Sequence, residues 1–280
     1  MRKKKLRHFK EEYNLQTGYF TDGLPYARIG RENDILLNIE ALSMKHKPPS
    51  GFNLTSFIKL SLPYLNKYTI YLVNRKPNLP ENYLMDKMAE DYAKLIRREF
   101  KRKVDVIGIS TGGQIALQLA VDHPDVIRKL IVISAAYRIS EKGAKIERKA
   151  AEYFKEEKYG KTMATLAEFI FPSGFKKRIA KFFIRLIGKR MIGEVEYPND
   201  FWVEVTADRE MNLLDRLHEI EAPSLILSGE SDIGYTADDV KKTAEKISKS
   251  ELILYEGYGH NLFIINRKQL QKDISKFIKI

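Results

Sequence analysis

One serine stands between glycines where an apolar run ends. The segment GISTG, Gly108–Gly112, follows the strand-like run VDVI and precedes an alanine- and leucine-rich stretch reaching Asp122. The pattern Gly-x-Ser-x-Gly suits a sharp strand-to-helix turn that lifts a hydroxyl clear of a sheet edge. Gly108 and Gly112 must be small there, because the positions two before and two after the serine close on one another. Ser110 in such a turn is a candidate nucleophile. The free N–H groups opening the next helix point at the same spot and favour the negative charge that forms when a carbonyl is attacked.

A serine hydroxyl attacks poorly unless a base takes its proton. The chain has no cysteine, which removes thiol nucleophiles, thiolate metal sites and disulfides. Five histidines could serve as the base: His8, His46, His123, His218 and His260. His8 lies in the basic N-terminus, His123 and His218 precede apolar runs, and His46 in SMKHKPPSG reads as a solvated loop residue. His260, in LILYEGYGHNLF, follows the last apolar run after two glycines, where a loop can carry it across to Ser110. A base of this kind needs a carboxylate to fix its tautomer. LILSGESDIGY offers Glu230 and Asp232, and Asp232, deeper past Gly229, is preferred.

These residues need a scaffold that brings three distant loops together. From Tyr26 the chain alternates short apolar runs with longer amphipathic ones. YARIG, DILLNIEAL, YTIYLV, VDVIGIS, KLIVISAA, PSLILSG and ELILYEG read as strands. Helical spacing is seen over Met85–Phe100, after Ser110, over Asp238–Ile247 and over Arg267–Ile280. Such alternation predicts an α/β fold, a mostly parallel central sheet with helices on both faces. Between about Ile139 and Asp208 only helical periodicity remains. Residues 139–208 are therefore expected to form a helical cap inserted after the sixth strand, with residues 1–138 and 209–280 as the core.

The order Ser110, Asp232, His260 resembles that of the α/β-hydrolase superfamily, in its capped esterase, peptidase and lipase-like branch. HPDVIRKLIVISAA, DRLHEIEAPSLILSGESD and GYGHN resemble it as well, and the likeness covers Tyr26–Ala136 and Asp215–Ile280. It implies a Ser-Asp-His triad and an oxyanion hole built from the Thr111 amide and that of Leu42 or Ala41. LLNIEALSMKHKPPSGF departs from the pattern, lacking the His-Gly that usually follows the third strand.

The reading that follows is a serine carboxylesterase. An aminopeptidase, thioesterase, C–C hydrolase or acyltransferase would use the same triad, and a low-turnover ligand-binding protein could keep the same fold. The serine argues against the aspartate-dependent dehalogenase and epoxide-hydrolase branches. No HExxH, GxxxxGKS or GxGxxG occurs, so neither metal nor cofactor is expected. The net charge of +12 invites a nucleic-acid partner, but the lysines are spread along the whole chain, so none is expected.

MRKKKLRHFKEEYNLQTG has the basic start of a signal peptide without its apolar region, which predicts a cytoplasmic protein. In GFKKRIAKFFIRLIGKR, the residues Phe175, Ile179, Phe182, Phe183, Leu186 and Ile187 form one helical stripe among lysines and arginines. The stripe is expected to cover the site with the cations facing water, which favours a hydrophobic acyl or aryl ester. Membrane contact is not expected, and a homodimer is allowed.

Overall fold

Strands and helices alternate because the apolar runs are short and rich in β-branched residues, while the stretches between them carry apolar residues every third or fourth position. The computed structural model describes residues 11–171 and 175–279, so the expectation for His8 lies outside the described residues. Eight strands form one sheet: β1 (Gln16–Tyr19), β2 (Pro25–Ile29), β3 (Asp34–Ile39), β4 (Tyr68–Val73), β5 (Val104–Ile109), β6 (Ile127–Ile133), β7 (Ser224–Gly229) and β8 (Ser250–Tyr255). Their spatial order is β1-β2-β4-β3-β5-β6-β7-β8. The first two strands are antiparallel, and β4 onward run parallel. Although only residues 30–33 separate β2 from β3, the two strands do not pair; β4 lies between them.

The helices are α1 (Gly51–Ser61), α2 (Met85–Leu95), α3 (Thr111–Asp122), α4 (Glu141–Lys155), α5 (Tyr159–Ile170), α6 (Phe175–Ile192), α7 (Asn199–Glu210), α8 (Ala237–Lys246), α9 (Leu262–Ile265) and α10 (Arg267–Ile278). Two buried apolar layers cover the sheet. One joins Leu37, Val106 and Val132 to α2, α3 and α8; the other joins Leu36, Ile107 and Leu225 to α1 and α10. With both faces covered, the central strand β5 is buried at every residue.

The stretch α4–α7 leaves the sheet after β6 and returns before β7. It has a small core of its own, with Ala150, Phe154, Phe201 and Val205, against which Leu42 and Met44 of the loop after β3 also pack. Among the described residues, no helix is long and apolar enough to cross a membrane.

Candidate active site

In a parallel sheet, the loops leaving the carboxyl ends of the strands gather on one edge. Ser110 follows β5, Asp232 follows β7 and His260 follows β8, so chain direction alone brings all three to that edge. Ser110 adopts φ 55 and ψ −128, a region that side-chain-bearing residues avoid, at a cost of about 1–3 kcal/mol. The packing beneath it explains the two glycines. A β-carbon on Gly108 would sit 2.6 Å from the Gly112 carbonyl carbon, and one on Gly112 would sit 2.7 Å from the Glu40 carbonyl oxygen.

Asp232 is held by its own loop. Its Oδ1 accepts from the Gly234 amide at 2.8 Å and the Tyr235 amide at 3.2 Å, leaving Oδ2 to meet His260 Nδ1 at 2.9 Å. Glu230, the alternative carboxylate, is exposed. Tyr235 connects the base to the serine: its ring stacks on the His260 imidazole at 5.9 Å, and its hydroxyl neighbours Ser110. From the other side, Phe169 of α5 lies 5.2 Å from the imidazole, and Asn261 donates to the Ile170 carbonyl at 2.8 Å. The inserted helices thus rest directly on the histidine loop. Ser110 is only 7% exposed.

Behind the serine lies a set of buried acids that local sequence patterns do not reveal. Asp200, Glu204 and Asp208 recur every fourth residue of α7, on one face of the helix, and all three are buried. Asp200 accepts from the Asn78 and Leu79 amides at 3.0 and 2.8 Å. Glu204 pairs with Arg75, whose guanidinium also donates to the Glu40 and Ala41 carbonyls. His46 is buried too, contrary to its reading as a solvated loop residue. Its two ring nitrogens meet the Lys76 carbonyl at 2.9 Å and Glu204 at 3.0 Å. An ionised group needs such partners to be buried at tolerable cost.

Arg75 also bears on the loop expected to hold the oxyanion. In a trans peptide the carbonyl and the following N–H point in opposite directions. With the Ala41 oxygen turned to Arg75 at 2.9 Å, the Leu42 N–H points away from it. Among the described residues, no hydrogen bond takes up the N–H of Leu42, Ala41 or Thr111.

Asp208 completes the series under the elbow. It accepts from the Thr111 hydroxyl at 2.7 Å and the Tyr235 hydroxyl at 3.4 Å, and it neighbours buried Glu147 of α4. Burial pushes Asp208 up to about 7 and Glu147 well above the usual carboxylate range. The folded state therefore holds a proton that the unfolded chain, titrating near 3.8 at Asp208, has released. Stability from this proton is present below about pH 4 and is lost as pH rises to about 7, at no more than about 1.4 kcal/mol per pH unit for each group. We expect the melting temperature of the wild type to fall across that window. Asp208→Asn, which keeps an acceptor for Thr111, should flatten the fall. An unchanged slope in the variant would assign the proton to another group.

Residues 71–266 match the family model described as alpha/beta hydrolase fold. A putative carbamate hydrolase, RutD, of Rhizobium rhizogenes is 22% identical over 72% of this chain and 77% of its own length. The AB hydrolase superfamily protein YisY of Bacillus subtilis is 27% identical over 70% of this chain and 74% of its own. Among solved structures, a hydrolase from Pseudomonas aeruginosa superimposes with a TM-score of 0.75 at 19% identity, covering 95% of this chain and 99% of that one.

Proposed function

The chain belongs to the α/β-hydrolase family, and we propose that within it the protein is a serine hydrolase cleaving hydrophobic carboxylic esters. The observation that carries this reading is the His260–Asp232 bond at the sheet edge where Ser110 holds its left-handed turn. With Nδ1 facing Asp232, Nε2 is the nitrogen left to act as base. Ser110 Oγ attacks the ester carbonyl and passes its proton to His260. The alcohol leaves with that proton, and an acyl-serine remains. Water, deprotonated by the same imidazole, then releases the acid. The Thr111 and Leu42 amides hold the oxyanion in both halves of the reaction. In this reading, α4–α7 form a cap over the site.

Leu42, Met44, Met163 and Leu166 pack, partly buried, against the apolar core of the inserted helices, and Phe169 lies against the base. Apolar walls of this kind support an acyl or aryl ester. A series of p-nitrophenyl esters from acetate to decanoate tests the proposal. Each methylene buried is expected to raise kcat/KM by nearly fourfold, from about 0.8 kcal/mol per group, until the pocket is full. A series flat or falling from acetate would reject the hydrophobic acyl group. It would favour a small polar one, such as the carbamate by which the Rhizobium relative is named.

A further inference from the structure

Four of the six residues in the apolar stripe of α6 turn to solvent, and the side chains of Phe175 and Ile179 lie outside the described residues. Phe182, Phe183, Leu186 and Ile187 are 60%, 58%, 65% and 51% exposed, the reverse of the expectation that they cover the site. The physical reason is how α6 packs. Gly188 closes on Gly160 of α5, and Lys181 pairs with Glu168 of α5 at 2.7 Å. The side of α6 that carries Lys181, Gly188 and Ile192 thus packs inward, and Phe182, Phe183, Leu186 and Ile187 turn to solvent. Phe182 and Phe183 meet edge to face at 5.7 Å, at positions that with Leu186 and Ile187 lie on one helical face.

The charge of this helix identifies what would cover that face. Phe175–Ile192 carries seven lysines and arginines and no acidic residue, in a chain of net charge +12. Arg185 and Arg190 are exposed. Two copies meeting through this face would set like charges against each other. Seven charges in eighteen residues also rule out a spanning role. An anionic phospholipid surface satisfies both features. Its headgroups meet the cations, while the four large side chains sink to the acyl boundary and the helix lies in the plane of the interface.

We propose that α6 is a docking helix for anionic lipid surfaces. The proposal concerns binding and does not depend on the assignment of Ser110. Because α5 touches both α6 and the His260 loop, docking would set the candidate site one helix away from the lipid layer.

The test is flotation of the full chain with vesicles of phosphatidylcholine alone and of phosphatidylcholine with about one quarter phosphatidylglycerol. The wild type should float with the anionic vesicles at low salt, should be released by high salt, and should stay behind with the neutral ones. Phe183→Ser/Leu186→Ser should lower anionic-vesicle binding about tenfold or more. Both side chains are exposed, so the variant should keep the wild-type melting temperature and its turnover of a soluble ester. Failure of the wild type to float with anionic vesicles would overturn the proposal, as would equal flotation of the double variant. A wild-type dimer in solution that the double variant dissociates would assign the face to self-association and overturn it too.

Discussion

Ser110→Ala is expected to lower kcat/KM on the best ester by about 10⁴–10⁶-fold while leaving the fold intact. Loss of a single oxygen suffices because the remaining groups act only through it. On the proposed mechanism, without Oγ, His260 has no proton to take and the amides proposed to hold the oxyanion have no covalent intermediate to stabilise. Removing the hydroxyl cannot upset a hydrogen-bond network on which the elbow depends, because the turn is fixed by its backbone: the Gly113 and Gln114 amides donate to the Ser110 carbonyl at 2.7 and 3.1 Å. A fluorophosphonate probe should label the wild type once and Ser110→Ala not at all. Labelling that persists in the variant would move the nucleophile elsewhere. A single burst of product without turnover would instead make this a binding protein on a hydrolase fold.

Asp232→Asn should cost on the order of 10⁴-fold in kcat, nearly all of it in the chemical step. The amide is nearly the size of the carboxylate, and its oxygen can still accept from the Gly234 and Tyr235 amides, so the loop should hold. What then faces His260 Nδ1 is an N–H₂ donor, which forces the proton onto Nε2, the nitrogen that must be bare to act as base. The charge that steadies the imidazolium is lost in the same step. Glu230→Gln is the control: an exposed carboxylate whose backbone amide already bonds the Tyr255 carbonyl at 3.0 Å should change activity little. If the two variants rank the other way, the acid is Glu230 and its loop must rearrange in the working enzyme.

What the sequence made legible was local. The β-branched runs gave the parallel strands. The Gly-x-Ser-x-Gly spacing marked a close approach of backbone to backbone, because only small residues survive there. The position of Asp232 past Gly229 singled out the carboxylate that reaches His260. Strand β1 escaped because Gln16–Tyr19 is a short, largely exposed edge strand without an apolar alternation to betray it.

The buried acids escaped for a different reason. A carboxylate at every fourth position of α7 reads as a solvated helix face, and the partners that make it otherwise lie far off in the chain: Arg75 is 129 residues from Glu204, and Thr111 is 97 from Asp208. The stripe on α6 shows the limit of periodicity. Spacing establishes that a face exists, and only the packing of Gly188 on Gly160 decides which way it points.

The ladder of acids on α7 bears on how this protein could be rebuilt. Helical insertions of such folds invite transplantation, since they leave and rejoin the sheet at neighbouring strands. Here the graft would fail at the seam. A foreign helix lacking the acids at 200, 204 and 208 would strand Arg75 without the Glu204 counter-charge, leave one ring nitrogen of His46 without its partner and release the amides of Asn78 and Leu79. Nor would the damage stay in the graft, because Arg75 grips the loop whose amide is proposed to hold the oxyanion. Any chimera must carry those three carboxylates across with the new helices, or replace Arg75 and His46 along with them. On the proposed reading, redesign of substrate range has to treat α7 as part of the packing beneath the candidate site.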